Sequence, residues 1–180
     1  AQQKGSRSKF LSFLEVTWPF GGSEGLESMY FLGDFSVWVK GTKAELGAPV
    51  KELHCGDATQ QGLAFYGGNI TYHFSSPHDG ATTVDIPHFN GALVTVDQQG
   101  KRVGSIDREP WRLKGSLVPD QPVDVTCYGT RINTFGQIHI VASDHYRWWG
   151  PDSWRTRGHL WSDNYQLKQT GLLSEPIFIG

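Results

Sequence analysis

Apolar and polar residues alternate most regularly around Val123–Cys127, where Val123, Val125 and Cys127 are separated by Asp124 and Thr126. That period of two belongs to a strand with one buried and one exposed face. Further on, Ile138, Ile140 and Ala142 alternate with His139 and Val141. Gly129, Asn133 and Gly136 punctuate the connection, so the pattern predicts two antiparallel strands joined by a loop that carries Arg131 and Asn133. Asn69–Phe74 reads as a strand with Ile70, Tyr72 and Phe74 on one face and Thr71 and His73 on the other. Phe35, Val37 and Val39 alternate with Ser36, Trp38 and Lys40 in another, ended by a turn over Gly41–Gly47 and followed by a weak strand over Pro49–His54. Ala92–Asp97 and Lys101–Asp107 form a hairpin connected through Gln98-Gln99-Gly100.

Between these runs lie a loop, Gly56–Gly68, with Phe65-Tyr66 at its tip, and an extended stretch, Thr82–Phe89, ending in a turn at Asn90-Gly91. Leu117–Asp120 is a turn, and Tyr165–Leu173 and Ile177–Ile179 close the chain. No stretch predicts a long helix. Many short strands separated by turn residues indicate an all-β antiparallel sandwich or barrel over residues 27–180. Residues 1–26, with the apolar run Phe10–Phe20, are expected to form a tether or interdomain segment, and polar Ala1–Lys9 the edge of a longer chain.

Composition narrows the function. The 180 residues carry a net charge of −2, which argues against a nucleic-acid partner needing a basic stripe. No apolar run is long enough to cross a bilayer, and no signal peptide is visible. Cys55 and Cys127 have no partner at metal-ligand spacing; they are either a bridge or two buried thiols. His73, His78 and His88 cluster near strand ends, which hints at a metal, although surface histidines explain them better. Asp85, Asp97, Asp107, Glu109, Asp144 and Asp152 are available carboxylates, but none sits in a recognisable acid/base motif. No nucleophile elbow, Cys/His pair or phosphate loop is present, so no catalytic activity is expected of this chain alone.

The order F-Y-G-G-N-I-T-Y, V-T-V-D, G-K-R-V-G-S-I, E-P-W-R-L and V-D-V-T-C-Y-G-T-R-I-N, between Phe65 and Ile140, resembles the galactose-binding-like jelly-roll domains of bacterial glycoside hydrolases. The sugar-binding domain of glycoside hydrolase family 2 is one of these. One departure is the turn, which Gln98-Gln99 lengthens where the family commonly has Asn-Gly. The resemblance implies an antiparallel jelly roll, non-catalytic and extracytoplasmic, beside a catalytic domain of the same polypeptide. It requires no cofactor. It admits a structural calcium, for which Asp57, Asp79 and Asp163 sit in suitable loops without a spacing that selects them.

A carbohydrate-binding module needs flat aromatic faces for the C–H side of a sugar and planar polar groups for its hydroxyls. The aperiodic stretch 144–163 holds Trp148, Trp149, Trp154 and Trp161, interleaved with arginines. Trp148 and Trp149 are neighbours, and in extended chain they point opposite ways. Trp148, Trp149, Trp154 and the Pro-aromatic Trp111 are the stacking candidates; Arg131, Asn133 and His139 are the polar ones. The partner expected is a poly- or oligosaccharide. The alternative is a structural module that buttresses a catalytic domain and binds no free sugar, with its tryptophans plugging one end of the sandwich and Asn133 satisfying turn backbone.

Overall fold

Backbone groups taken out of water must find partners, and here almost all of them do so in short antiparallel ladders. A computed structural model describes residue 17 and residues 30–141 and 156–180. In chain order the elements are β1 (Ser36–Lys40), β2 (Lys43–Gly47), a 3-10 turn (Ala58–Gln61), β3 (Ile70–Ser75), β4 (Ala81–Asp85), β5 (Phe89–Asn90) and β6 (Leu93–Gln98). There follow β7 (Lys101–Ile106), β8 (Arg112–Leu117), β9 (Pro122–Tyr128), α1 (Ile132–Phe135), β10 (Gly171–Leu172) and β11 (Ile177–Ile179). All of these belong to one compact unit, Asp34–Gly180. The described residues are all-β apart from two helical turns.

The larger sheet runs β3-β9-β6-β7 and the second β11-β4-β8; β1-β2 and β5-β10 form two-stranded ladders. Every ladder is antiparallel. The two main sheets share one core: Val84, Ile86 and Leu117 lie in the same buried cluster as Val94, Val96, Val123 and Val125. The alternation in β9 is the expected one, with Val123, Val125 and Cys127 buried between half-buried Asp124, Thr126 and Tyr128. β3 likewise buries Ile70 and Tyr72 and exposes Thr71 and His73. Between the sheets, Phe74 meets Phe178 edge-on at 6.3 Å, and Phe89 meets Trp111 at 5.2 Å and 87°.

The hairpin β6–β7 is tighter than the sequence suggests. Gln98 pairs with Lys101 inside the ladder, so the turn is the two residues Gln99-Gly100 alone. Both have positive φ, 52° and 71°, the geometry of the turn that matches strand twist. Gln98 is freed for another task. Its amide donates to the Val118 carbonyl at 3.0 Å and accepts from the Val118 N–H at 2.7 Å, replacing a missing strand neighbour.

Three expectations are corrected. Ile138–Val141, the described part of the expected second strand, is not a partner of Val123–Tyr128; β9 is flanked by β3 and β6, and Ile140 makes an isolated bridge to Trp161. The alternation there comes instead from a turn in which Ile140 N–H donates to Gln137 and Ile138 N–H to Gly136. Gly41–Gly47 is not all turn: Gly41-Thr42 reverses the chain and Lys43–Gly47 is β2, whose first four residues are exposed and therefore leave no alternation to read. Pro49–His54 forms no strand. Phe10–Phe20 lies outside the described residues except Thr17.

Gln98→Ala strips both partners from the part-buried Val118 backbone pair and is expected to cost about 1 kcal/mol, read as a lower urea midpoint. Gln99→Asn supplies the residue favoured at the first position of this turn and is expected to raise stability by about 0.5 kcal/mol.

Candidate functional site

Among the described residues the sheet order leaves one edge of β3 without a strand neighbour. The segment Val50–Cys55 runs beside it without joining the ladder, and the two enclose an open groove of about 770 Å³. Leu53, Leu63, Ile70 and Phe74 give it apolar walls. Lys51, Glu52, His54, His73 and Glu175 supply polar groups of both signs. A second hollow of about 500 Å³ shares Val50, Lys51 and Glu52 with the groove and reaches Ser36 and Trp38.

Each hollow has an aromatic ring fixed at its border. Tyr66 is 44% exposed, and its hydroxyl donates to the Asn69 carbonyl at 3.2 Å. Its ring lies so close over Gly68 that a Cβ there would stand 2.4 Å from the hydroxyl oxygen, so a larger residue would have to displace the ring. Trp38 is 49% exposed; its indole N–H donates to the Ser36 hydroxyl at 3.0 Å, and its ring packs against Gly47 and Gly62. A large apolar ring held flat in water costs hydration free energy that a bound ligand would recover.

The expected site residues fall in three places. Trp148, Trp149 and Trp154 lie outside the described residues. Asn133 is 2% exposed, and both ends of its amide are committed to the backbone of Lys168, donating at 2.7 Å and accepting at 2.8 Å. His139 is half-buried in an aromatic column, stacked on Trp161 at 4.8 Å and beside Tyr165 at 4.7 Å, with Phe65 a further 5.5 Å from Tyr165. Its Nδ1 donates to the Ser162 carbonyl at 3.0 Å. Arg131 is exposed over the Phe135 ring, and its stem lies near Gly67, next to Tyr66. Trp111 is half-buried in a separate cavity with Phe89. The residues missed are Tyr66 and Trp38. For Tyr66 the signal was present: an aromatic followed by Gly67-Gly68 in a loop.

Several of the groups that catalysis or metal binding would recruit have other partners. Asp85 accepts two bonds from Arg112 across the β4–β8 ladder, and Asp97 accepts from Arg102 across β6–β7. His73 meets Asp124 and His78 meets Asp120, each at 2.7 Å. Asp57 accepts from Thr59 and Thr170, and Asp163 accepts from the Trp161 indole. Among the described residues no three His, Cys, Asp or Glu side chains gather into a metal-binding group.

Both cysteines are free thiols. Burial pushes Cys127 from an ordinary 9.0 to about 11. Burial also raises Cys55, with the Glu175 charge adding to it. A thiol that keeps its proton is not an activated nucleophile. Comparison with family models, with curated proteins and with solved structures found no match to this chain.

Because Cys127 holds its proton more tightly folded than unfolded, its contribution to stability is complete below the unfolded thiol's 9.0 and is lost as pH rises through about 11. Urea midpoints should therefore fall across that window, with buried Tyr72, also raised, adding at its upper end. Cys127→Ala should flatten the slope; a slope identical to the parent's would refute the assignment.

Proposed function

We propose that this domain binds a neutral oligosaccharide chain along the β3 groove, as a non-catalytic module of a larger extracytoplasmic glycoside hydrolase. The observation that carries the reading is the pair of exposed rings, Trp38 and Tyr66, each hydrogen-bonded and backed by glycine at the border of a hollow. Flat, pre-positioned aromatic faces suit the C–H side of a pyranose and lose little entropy on binding. Between the rings, Lys51, Glu52, His54 and His73 offer donors and acceptors of both signs, which suits hydroxyl groups better than a charged ligand. An open groove suits the interior of a chain, so the ligand is an oligosaccharide rather than a single sugar. The core around β9 is, in this reading, the galactose-binding-like jelly roll that the motifs from Phe65 to Ile140 resemble. Arg131, beside Gly67, extends the polar border past Tyr66.

One observation favours the structural alternative. On α1, Ile132 and Phe135 are three apart and expose 44% and 47% of their surface, and Val141 exposes 42%. Residues three apart on a helix share a face. A neighbouring catalytic domain that covered them would use this protein as a buttress.

The two readings separate in a titration of intrinsic Trp fluorescence with a panel of plant and host polysaccharides. Glycan binding predicts a saturable shift for one glycan class, at least a tenfold loss of affinity in Trp38→Ala and Tyr66→Ala, and retention in Tyr66→Phe, which keeps the ring. Tenfold corresponds to about 1.4 kcal/mol. No response from the folded protein across the panel would leave the buttress.

A further inference from the structure

The cavity around Trp111 shares no lining residue with the groove and differs from it in kind. It holds about 280 Å³, just under the roughly 300 Å³ at which sites for drug-sized ligands begin. That is room for one sugar ring and not for a chain. Its walls are aromatic and aliphatic: Phe89 and Trp111 stand at 87° with centroids 5.2 Å apart, and Leu173 completes the apolar side. His88 and Asp107 supply its polar side.

Several ties hold this corner in place. The Ile86 N–H donates to the Trp111 carbonyl at 2.9 Å, and the Leu173 N–H donates to the His88 carbonyl at 2.9 Å. β5 is locked to β10 through Asn90–Gly171 and Phe89–Leu172. The walls are therefore set by backbone ladders rather than by the ligand, which lowers the ordering cost of binding. The polar side chains, by contrast, are uncommitted. The His88 ring has no hydrogen-bond partner among the described residues. Asp107 accepts one bond from Arg108 Nε at 3.1 Å, in a pair exposed enough to contribute little. Its Oδ2 has no hydrogen-bond partner among the described residues.

We infer that this cavity is a second, independent carbohydrate site that takes a single pyranose, the terminal residue of a glycan. The Trp111 ring receives the apolar face of the sugar. Asp107 accepts hydrogen bonds from hydroxyls, and the His88 ring donates or accepts another. An apolar ring alone would take any hydrophobe; the carboxylate and imidazole at the mouth select a polyhydroxylated one. With the groove holding chain interiors and this cavity chain ends, the protein would carry two kinds of glycan contact.

The test follows the Trp111 indole N–H resonance, assigned by its loss in Trp111→Phe, during titration of the full chain with the methyl pyranosides of glucose, galactose, mannose and xylose. The expected result is a saturable shift with at least one of them, weakened at least tenfold in Asp107→Asn and in His88→Ala, and unchanged in Tyr66→Ala. Asp107 and His88 are exposed, so these variants should fold even if Trp111→Phe does not. The inference is overturned by no shift with any of the four sugars, or by a shift that survives Asp107→Asn undiminished. It is also overturned if Tyr66→Ala abolishes the shift, since the sugar would then be reporting the groove. Failure of the groove reading, seen in the polysaccharide titration, leaves this result standing.

Discussion

The fold depends on β9 being hydrogen-bonded on both edges while one face of it is dry. Val123 and Val125 are fully buried, and the strand is zipped to β3 on one side and β6 on the other. A strand in that position loses its water on the edges as well as on its inner face, so its backbone must be fully paired. Register follows, because a slip of one residue would turn Asp124 and Thr126 into the core. Once β3 and β6 are fixed, they place further elements in turn. β6 fixes β7, and its Gln98 captures the Val118 backbone; β3 places Phe74 against Phe178 of the other sheet. The free edge of β3, and with it the groove, is a by-product of this order.

Much of this was legible in the sequence and some was not, for reasons that lie in particular residues. β3 and β9 are half-buried strands, and half-burial writes itself as alternation. The pair Val94 and Val96, and the triplet Val123, Val125 and Cys127, need no other information. β2 is different: Lys43, Ala44, Glu45 and Leu46 are all exposed, so burial imposes no pattern on them. Ile138–Val141 shows the opposite failure. Its alternation is genuine, yet His139 is drawn into the column with Trp161 and Tyr165, and Ile140 is buried by a turn, not a sheet. Over five residues, period two reports that neighbours point opposite ways; it does not report a ladder. β5 and β10, two residues each, are too short to carry any period.

The candidate site was harder to read than the fold, and Asn133 shows why. An Asn in a Gly-punctuated loop has two readings from sequence, a ligand contact or a backbone satisfier. What decides is whether a nearby segment lacks backbone partners, which depends on chain thirty-five positions away: the amide is matched to Lys168 N–H and C=O. Gln98 with Val118 repeats the arrangement from a strand end. In both cases a planar amide, which carries a donor and an acceptor in the geometry of a peptide group, completes a ladder where the chain itself does not. Asp57, drawn to Thr59 and Thr170, does the same with a carboxylate.

This gives a rule for reading loops in a small β protein. With many short strands there are many strand ends, and each end leaves N–H and C=O groups that must be satisfied before any side chain is free for a ligand. Loop Asn, Gln and Asp residues are therefore consumed by the fold first. Aromatic rings obey the reverse logic: the core has the first claim on them, and one that stays in water does so against its hydration free energy. Tyr66 and Trp38 each make a hydrogen bond of their own and lie close over glycines. Tyr72 on the neighbouring strand is turned into the core instead. Under the proposed reading, such exposed rings, rather than the loop amides, are what the fold leaves over for a ligand.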